Sequence, residues 1–134
     1  MTEEASAVSL KEVDHAGRRL ANAEFVRPVV LEAGAGTGKT TALVSRILVY
    51  ALGPGWERSE RALREASDRP PGDERIAARV LRRIVAITFT DAAAAEMARR
   101  TGEAFLEVAA GRRPMGVEEA ELDAAGAGRR TRAR

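Results

Sequence analysis

Residues 33–40 read AGAGTGKT, and this stretch decides how the rest of the sequence is interpreted. A short run rich in β-branched residues, residues 28–33, leads into it and predicts a strand. Apolar residues at helical spacing follow over residues 39–52 and predict a helix, which Gly53 is expected to end in a left-handed conformation. A glycine-rich loop between a strand and a helix lets backbone N–H groups and the helix N-terminus surround phosphate oxygens. The sequence therefore predicts a phosphate-binding loop.

Two side chains of this loop (the Walker A motif) predict nucleotide chemistry. The Lys39 ammonium would reach the β- and γ-phosphates of ATP or GTP, and the Thr40 hydroxyl would ligate Mg²⁺. Lys39 is one of only two lysines among 22 basic residues, and lysine offers phosphate a compact charge. The candidate ATP-binding residues are Ala33, Gly34, Ala35, Gly36, Thr37, Gly38, Lys39, Thr40 and Thr41. The competing interpretation is an ordinary glycine-rich turn, and the glycine spacing does not match the fingerprint for NAD.

The remaining elements predict an α/β fold. A second apolar run, residues 84–88, predicts another strand. A helix over residues 91–110 follows it, with Asp91 as the predicted N-cap, and ends at Gly111. Further helices are predicted over residues 9–24, 56–67, 73–83 and 118–125. This order is typical of a parallel βαβ sheet flanked by helices. Because two strands leave both edges of a sheet open, we expect an incomplete and marginally stable lobe.

The composition excludes several classes of function. Of the 134 residues 45% are apolar and 31% charged, which is ordinary for a globular domain. The chain has no cysteine and one histidine, which excludes disulfides, thiolate metal sites and histidine-rich zinc sites. Neither a long apolar run nor a signal sequence is visible, so we expect a cytoplasmic protein without membrane partners. A net charge of only +2 argues against a uniformly basic nucleic-acid-binding chain.

A second motif, ITFTDAAAAEM, spans residues 87–97 and begins within the second predicted strand. Hydroxyl groups and free N–H groups at the start of a helix suit a phosphodiester. A phenylalanine at such a place, here Phe89, can stack on a base of single-stranded nucleic acid. From the residues alone, however, Phe89 is better explained as part of the core.

Two segments together, LEAGAGTGKTTALVSRIL (residues 31–48) and VAITFTDAAAAEMARR (residues 85–100), resemble motifs I and Ia of the UvrD/Rep-type superfamily 1 DNA helicases. The run of alanines is most similar to the branch that contains the RecB and AddA nuclease-helicase subunits. The resemblance covers residues 10–110 and implies a RecA-like P-loop NTPase lobe of an ATP-driven 3′→5′ DNA helicase. It implies that Lys39 and Thr40 bind ATP and Mg²⁺. By the same resemblance, the residues that contact single-stranded DNA are Thr88, Phe89 and Thr90.

The sequence departs from the family pattern in three respects. His15 is the best match to a glutamine that reads adenine in the family, which makes it a candidate adenine contact, although a lone histidine is more often a surface or capping residue. Ala92 stands where the family often has lysine. The acidic Walker B pair, the arginine fingers and the second motor lobe are not visible. Since phosphoryl transfer needs these groups together, we expect the isolated chain to bind ATP without turning it over.

The leading hypothesis is the ATP-binding start of a UvrD-like helicase that acts in DNA repair or recombination. Its partners would be single-stranded DNA and the rest of a helicase or helicase–nuclease complex. Residues 1–111 are predicted to form the N-terminal part of the ATP-binding domain. Residues 112–134 are predicted to be an arginine-rich, disordered tail or the start of an inserted subdomain. The alternatives are a non-catalytic nucleotide- or DNA-binding module, and another P-loop NTPase such as a small-molecule kinase.

Overall fold

The computed structural model describes residues 2–32, 36 and 38–124 of the chain, and within these ranges it describes side chains from residue 12 to residue 123. Six helices make up the regular structure of these residues. They are α1 (Thr2–Ala23), α2 (Lys39–Leu52), α3 (Pro54–Glu65), α4 (Asp73–Leu81), α5 (Asp91–Ala109) and α6 (Glu119–Ala124). None of these described helices has the length and hydropathy that crossing a bilayer requires.

The prediction of an α/β fold with the parallel βαβ sheet of a RecA-like lobe is wrong, because the described residues contain helices and no strand. The described part of the first run, residues 28–32, and the second run, residues 84–88, both lack regular structure. Val30, Val85 and Ile87 are 84%, 80% and 91% exposed. A segment becomes part of a sheet only where its backbone N–H and C=O groups pair with those of a neighbouring strand. Within the described ranges neither run pairs with another segment, so the apolar pattern does not become a sheet.

The predicted helices agree more closely with the structure. The helices predicted over residues 39–52 and 91–110 are confirmed as α2 and α5 to within one residue. The helix predicted from residue 56 begins earlier, at Pro54, because proline suits the first helical position, where its missing N–H is not needed. The helix predicted from residue 9 begins at Thr2 instead.

Two glycines predicted to end helices behave differently. Gly111 has a φ of +75°, its N–H donates to the Val108 carbonyl at 2.9 Å, and the Arg112 N–H donates to the Glu107 carbonyl at 2.8 Å. These are the two hydrogen bonds of a Schellman motif, so the end of α5 is confirmed. Gly53 has a φ of −109° rather than the left-handed conformation expected there, because the chain turns directly from α2 into α3.

Two apolar clusters hold the helices together, and α2 contributes to both. The α2–α5 cluster contains Val44, Leu48, Val49, Leu52, Met97, Ala104, Val108, Val117 and Leu122. The α3–α4 cluster contains Ala51, Trp56, Ile76 and Val80. Phe105 packs against both clusters. Because α2 is packed on two sides, its N-terminus is held in a fixed place relative to the other helices.

The segment after α5 also contributes to this packing. Val117 and Leu122 are buried in the α2–α5 cluster. The last ten residues of the predicted tail, residues 125–134, lie outside the described residues. The division of the chain after residue 111 stays a prediction.

Candidate functional site

The predicted phosphate loop joins the described structure at the N-terminus of α2. Gly36 and Gly38 have φ angles of +75° and +89°, a region that glycine enters without the strain that a side chain would cause. Gly38 is the residue that caps α2. The other predicted loop residues Ala33, Gly34, Ala35 and Thr37 lie outside the described residues. The two described glycines therefore have backbone conformations that explain why glycine stands there.

The first turn of α2 differs in charge from the first turns of the helices that follow it. It contains no acidic residue and begins with Lys39, which is exposed. The first turns of α3, α4, α5 and α6 each contain aspartate or glutamate. A helix N-terminus carries about half a positive charge on its unpaired N–H groups, so a lysine there is unfavourable unless an anion binds. This end of α2 is therefore suited to bind an anion.

A cleft of about 340 Å³ opens beside this turn, between α1 and α2. Its lining residues are Asp14, Arg18, Ala21, Asn22, Leu31, Glu32, Gly38, Thr41, Ala42 and Gly116. Of the predicted ATP-binding residues, Gly38 and Thr41 line the cleft, and Lys39 and Thr40 lie between them in the same turn. The volume is at the lower end of what small-molecule sites have.

Asn22 organises one wall of the cleft, and the sequence analysis missed it. Its side chain is buried, and its Nδ2 atom donates to the Gly116 carbonyl at 3.3 Å and to the Glu121 carboxylate at 3.2 Å. These hydrogen bonds join the end of α1 to the loop before α6 and to α6 itself. In the sequence, Asn22 could have been noticed only as a single polar residue between two alanines, Ala21 and Ala23.

Arg46 fixes the end of α1 against α2. Its guanidinium donates to the Ala21 carbonyl, and its Cζ atom lies 4.6 Å from the centroid of the Phe25 ring. The Phe25 ring lies 5.3 Å from that of Tyr50, measured between centroids. This cation–π contact and the hydrogen bond hold the two helices that form the cleft.

His15 does not line this cleft. It lines a neighbouring, wider cavity of about 930 Å³, which shares Asn22 and Gly116 with the cleft. Its Nδ1 atom lies 3.9 Å from the Glu118 carboxylate, and the side chain is largely exposed. The imidazole therefore lies beside the Glu118 carboxylate rather than in the cleft. The role of His15 as an adenine contact stays a prediction.

The predicted magnesium ligand, Thr40, lies in the first turn of α2 and is partly buried. Across the described ranges, no three Asp, Glu or His side chains form a group that could hold a metal ion. Mg²⁺ keeps several water ligands and is often held by one or two protein groups together with substrate phosphates. A single hydroxyl at this turn therefore fits a magnesium ion that arrives with a nucleotide.

The second motif forms the N-terminus of α5. The Thr90 Oγ1 atom accepts the Ala93 N–H at 3.1 Å and so caps the helix, at the position next to the predicted cap, Asp91. The Thr88 hydroxyl donates to the Thr90 carbonyl at 3.0 Å. Because Thr90 Oγ1 acts as an acceptor, its own proton remains free to be donated to a phosphate, whereas that of Thr88 is already used.

Phe89 is fully exposed, so its interpretation as a core residue is wrong. Its neighbours Thr88 and Thr90 hold the turn by hydrogen bonds. A large apolar ring in water, carried on a turn with defined hydrogen bonds, is available to stack on a planar ligand. Nucleic-acid bases are one class of such ligand.

Comparison with protein families identifies one match that covers most of the chain. Residues 15–125 match the model of the UvrD/REP helicase N-terminal domain. The matched region includes the described part of the phosphate loop, the second motif and α6. Comparisons with curated proteins and with solved structures found no match. The assignment to the branch of RecB and AddA stays a prediction.

Proposed function

Because the chain belongs to the UvrD/REP helicase family, we propose that it is the ATP-binding portion of an ATP-dependent DNA helicase. In this proposal, ATP and Mg²⁺ bind at the N-terminus of α2, and Thr88, Phe89 and Thr90 contact single-stranded DNA. The whole protein moves 3′→5′ along the strand during DNA repair or recombination in the cytoplasm. Its partners are the remaining parts of a helicase or helicase–nuclease complex.

The observation that carries the proposal is the charge of the first turn of α2. Lys39 and the uncapped N–H groups place positive charge at one point, with no acidic residue in the turn to offset it. A triphosphate supplies the missing negative charge to both the ammonium and the helix N-terminus. The cleft between α1 and α2 gives the nucleoside a place beside that turn.

Calorimetric titration of the full 134-residue chain with Mg-ATP tests this site. We expect binding by the wild type and its loss in Lys39→Ala. Lys11→Ala is the matched control, because it removes the other lysine of the chain, in α1, and should leave binding unchanged. Equal weakening by the two substitutions would contradict the proposed site.

The DNA contact is tested by fluorescence anisotropy of a labelled single strand. Phe89→Ala should weaken binding by about 5- to 150-fold, because stacking of one base on an aromatic ring contributes about 1–3 kcal/mol. Leu106→Ala is the control, because Leu106 is another exposed apolar residue, placed on α5. If both substitutions have the same effect, Phe89 has no particular role in binding DNA.

Phosphate release by the isolated chain should be absent even where Mg-ATP binds. In this proposal, the N-terminus of α2 with Lys39 binds phosphate, and Thr40 supplies one hydroxyl ligand for Mg²⁺. Transfer of the γ-phosphoryl group also needs an oriented water and further positive charge on the transition state. A colorimetric phosphate assay with single-stranded DNA present would contradict this expectation if turnover were robust and lost in Lys39→Ala.

A further inference from the structure

Three arginines occupy one face of α4 and its C-terminal cap. Arg75, Arg79 and Arg82 follow the i, i+4, i+7 spacing that places side chains on the same side of a helix. Ile76 and Val80 are buried on a different side, in the α3–α4 cluster. With a rise of about 1.5 Å per residue, the arginines form a stripe about 10 Å long. We call these three residues the α4 arginine stripe.

The α4 arginine stripe differs in its ion pairing from the arginines in α5 and just after it. Arg99, Arg100 and Arg112 form ion pairs with glutamates at 2.6–2.9 Å. In the described part of the chain, the arginines that form ion pairs are Arg18, Arg27, Arg64, Arg99, Arg100 and Arg112. The stripe is not among them, so within the described residues none of its three arginines has an ion-pair partner.

Arg79, in the middle of the stripe, is partly buried. Its Nε atom is shielded from solvent and, among the described residues, has no hydrogen-bond partner. Arg75 and Arg82 on either side of it are exposed. A guanidinium presents its donors in a planar fork that fits phosphate oxygens in pairs. Arg75 and Arg82 therefore present exposed guanidinium groups that fit phosphate, and the partly buried Arg79 adds positive charge between them.

The stripe lies close in sequence to the proposed DNA contact. Six residue steps separate Arg82 from Thr88, so the chain between them spans at most about 22 Å. A nucleic-acid strand covers that distance in about six or seven nucleotides at B-form spacing. Phe89, at the far end of this connection, is fully exposed. One continuous strand is therefore long enough to reach both places.

We propose that the α4 arginine stripe is a second contact for the single strand, which binds its phosphates while Phe89 stacks on a base. The inference rests on the proposed function of the segment at Thr88, Phe89 and Thr90. The positive charge of the stripe favours a polyanion as its ligand, because three cations without ion-pair partners among the described residues fit a row of phosphates. Binding would release the counterions of that strand. Continuity with Phe89 favours nucleic acid over an acidic peptide, which carries no bases to stack on the ring.

The salt dependence of binding tests the stripe. The affinity of the full chain for a labelled oligothymidylate, long enough to reach both contacts, is measured by anisotropy at several salt concentrations. The double variant R75Q/R82Q leaves the partly buried Arg79 in place and removes two exposed charges. It should reduce the slope of log K against log[salt] by about 1.4, which corresponds to two phosphate contacts on a single strand.

Two further double variants serve as controls. R99Q/R112Q removes the same number of charges from arginines already paired with glutamate and should keep the wild-type slope. R75K/R82K retains the charges of the stripe and should also keep that slope, since counterion release depends on charge. An unchanged slope in R75Q/R82Q, or an equal reduction in R99Q/R112Q, overturns the inference.

The failure of the inference can be distinguished from the failure of the proposed function. If Phe89→Ala weakens binding but R75Q/R82Q keeps the wild-type slope, only the stripe is wrong. If the slope falls while Phe89→Ala binds normally, or if no strand binds at all, the proposed DNA segment fails and the inference fails with it. Displacement of the DNA by polyglutamate as effectively as by unlabelled strand would identify an acidic-peptide site and overturn the inference.

Discussion

Helix α2 and the two apolar runs, residues 28–32 and 84–88, are all rich in apolar residues but differ in burial. Leu48 in α2 is fully buried, whereas Ile87 in the second run is almost fully exposed. A helix forms its backbone hydrogen bonds within itself and needs only an apolar face to pack. An extended run needs a neighbouring strand as well. An apolar sequence therefore indicates that its side chains should be buried. In a helix, packing of the apolar face is enough, whereas an extended segment must also pair with a neighbouring strand.

The same difference in burial distinguishes the cleft beside α2 from the turn that carries Phe89. The cleft lies against α2, whose packing on two sides fixes the turn that carries Lys39. Phe89 follows a run without regular structure and projects into solvent. The proposed nucleotide site therefore lies on a helix packed on two sides, and the proposed DNA contact lies on a turn held mainly by the hydrogen bonds of Thr88 and Thr90.

The largest predicted contrast in stability is between Leu48→Ala and Ile87→Ala. Leu48→Ala should lower the free energy of unfolding by about 2–5 kcal/mol, because it leaves a cavity in the α2–α5 cluster. Ile87→Ala should change it by less than about 0.5 kcal/mol, because the side chain is already in water. Urea unfolding followed by circular dichroism measures both. Equal losses would mean that the second run is packed rather than exposed.

A second contrast in stability is between substitutions at Gly116, which lines the cleft, and at Gly111. A Cβ atom at Gly116 would lie 2.7 Å from Ser45 Oγ and from Thr41 Cγ2, whereas at Gly111 it would meet nothing within 4 Å. Both residues have positive φ angles, so Gly111→Ala should cost about 1–2 kcal/mol of backbone strain. Gly116→Ala should cost about 1–3 kcal/mol more through overlap. Urea unfolding of the two variants side by side measures the difference, and a smaller loss for Gly116→Ala would refute the packing of this loop on α2.

The turn that carries Phe89 is predicted to depend on the cap of α5. Thr90→Ala should lower the free energy of unfolding by about 1 kcal/mol, because the Ala93 N–H loses its acceptor. Thr90→Ser keeps a hydroxyl oxygen and should restore most of this loss. Faster hydrogen exchange at the Ala93 amide in Thr90→Ala, but not in Thr90→Ser, would identify the cap as the cause. Exchange that is equal in the two variants would show that another group caps the helix.

The smallest predicted effect is the pH dependence contributed by Glu96. Hydrogen bonds from Arg99 and then Arg100 lower the pKa of the Glu96 carboxyl from 4.5 to about 2. The pair therefore stabilises the folded chain fully above about pH 4.5, and this contribution is lost as the pH falls toward about 2. Because the groups are exposed, the effect is small. Unfolding measured across this pH range should show a shallower decline in Glu96→Gln, and an identical decline would exclude the pair as a contributor.

The sequence was sufficient to predict the helices of this fold but not the state of the apolar runs. Helix α2 could be placed to the residue because its apolar spacing and its glycine-rich start are local signals. Whether residues 84–88 form a strand depends on partners elsewhere in the chain, and no local pattern reports those. The left-handed glycine expected at Gly53 failed for a related reason, because Pro54 starts a new helix at once.

The sequence predicted those candidate site residues that lie close together in the chain. The glycines and Lys39 form a contiguous motif, so their spacing alone identified them. Asn22 was missed because its partner Gly116 lies 94 residues away, and only the folded chain brings the two together. From the residues alone Phe89 was interpreted as core, since an aromatic residue after an apolar run fits a core, whereas the structure places it in solvent.

The central claim is that the first turn of α2 is an anion-binding helix end, and Lys39→Glu tests it most directly. Without nucleotide, we predict that Lys39→Glu raises the free energy of unfolding by about 1 kcal/mol, because an acidic side chain suits a helix N-terminus better than lysine. With Mg-ATP at about a hundredfold its dissociation constant, the wild type should gain about 2.7 kcal/mol and the variant nothing. A variant that is less stable without nucleotide, or that gains as much stability from Mg-ATP as the wild type, would contradict the claim.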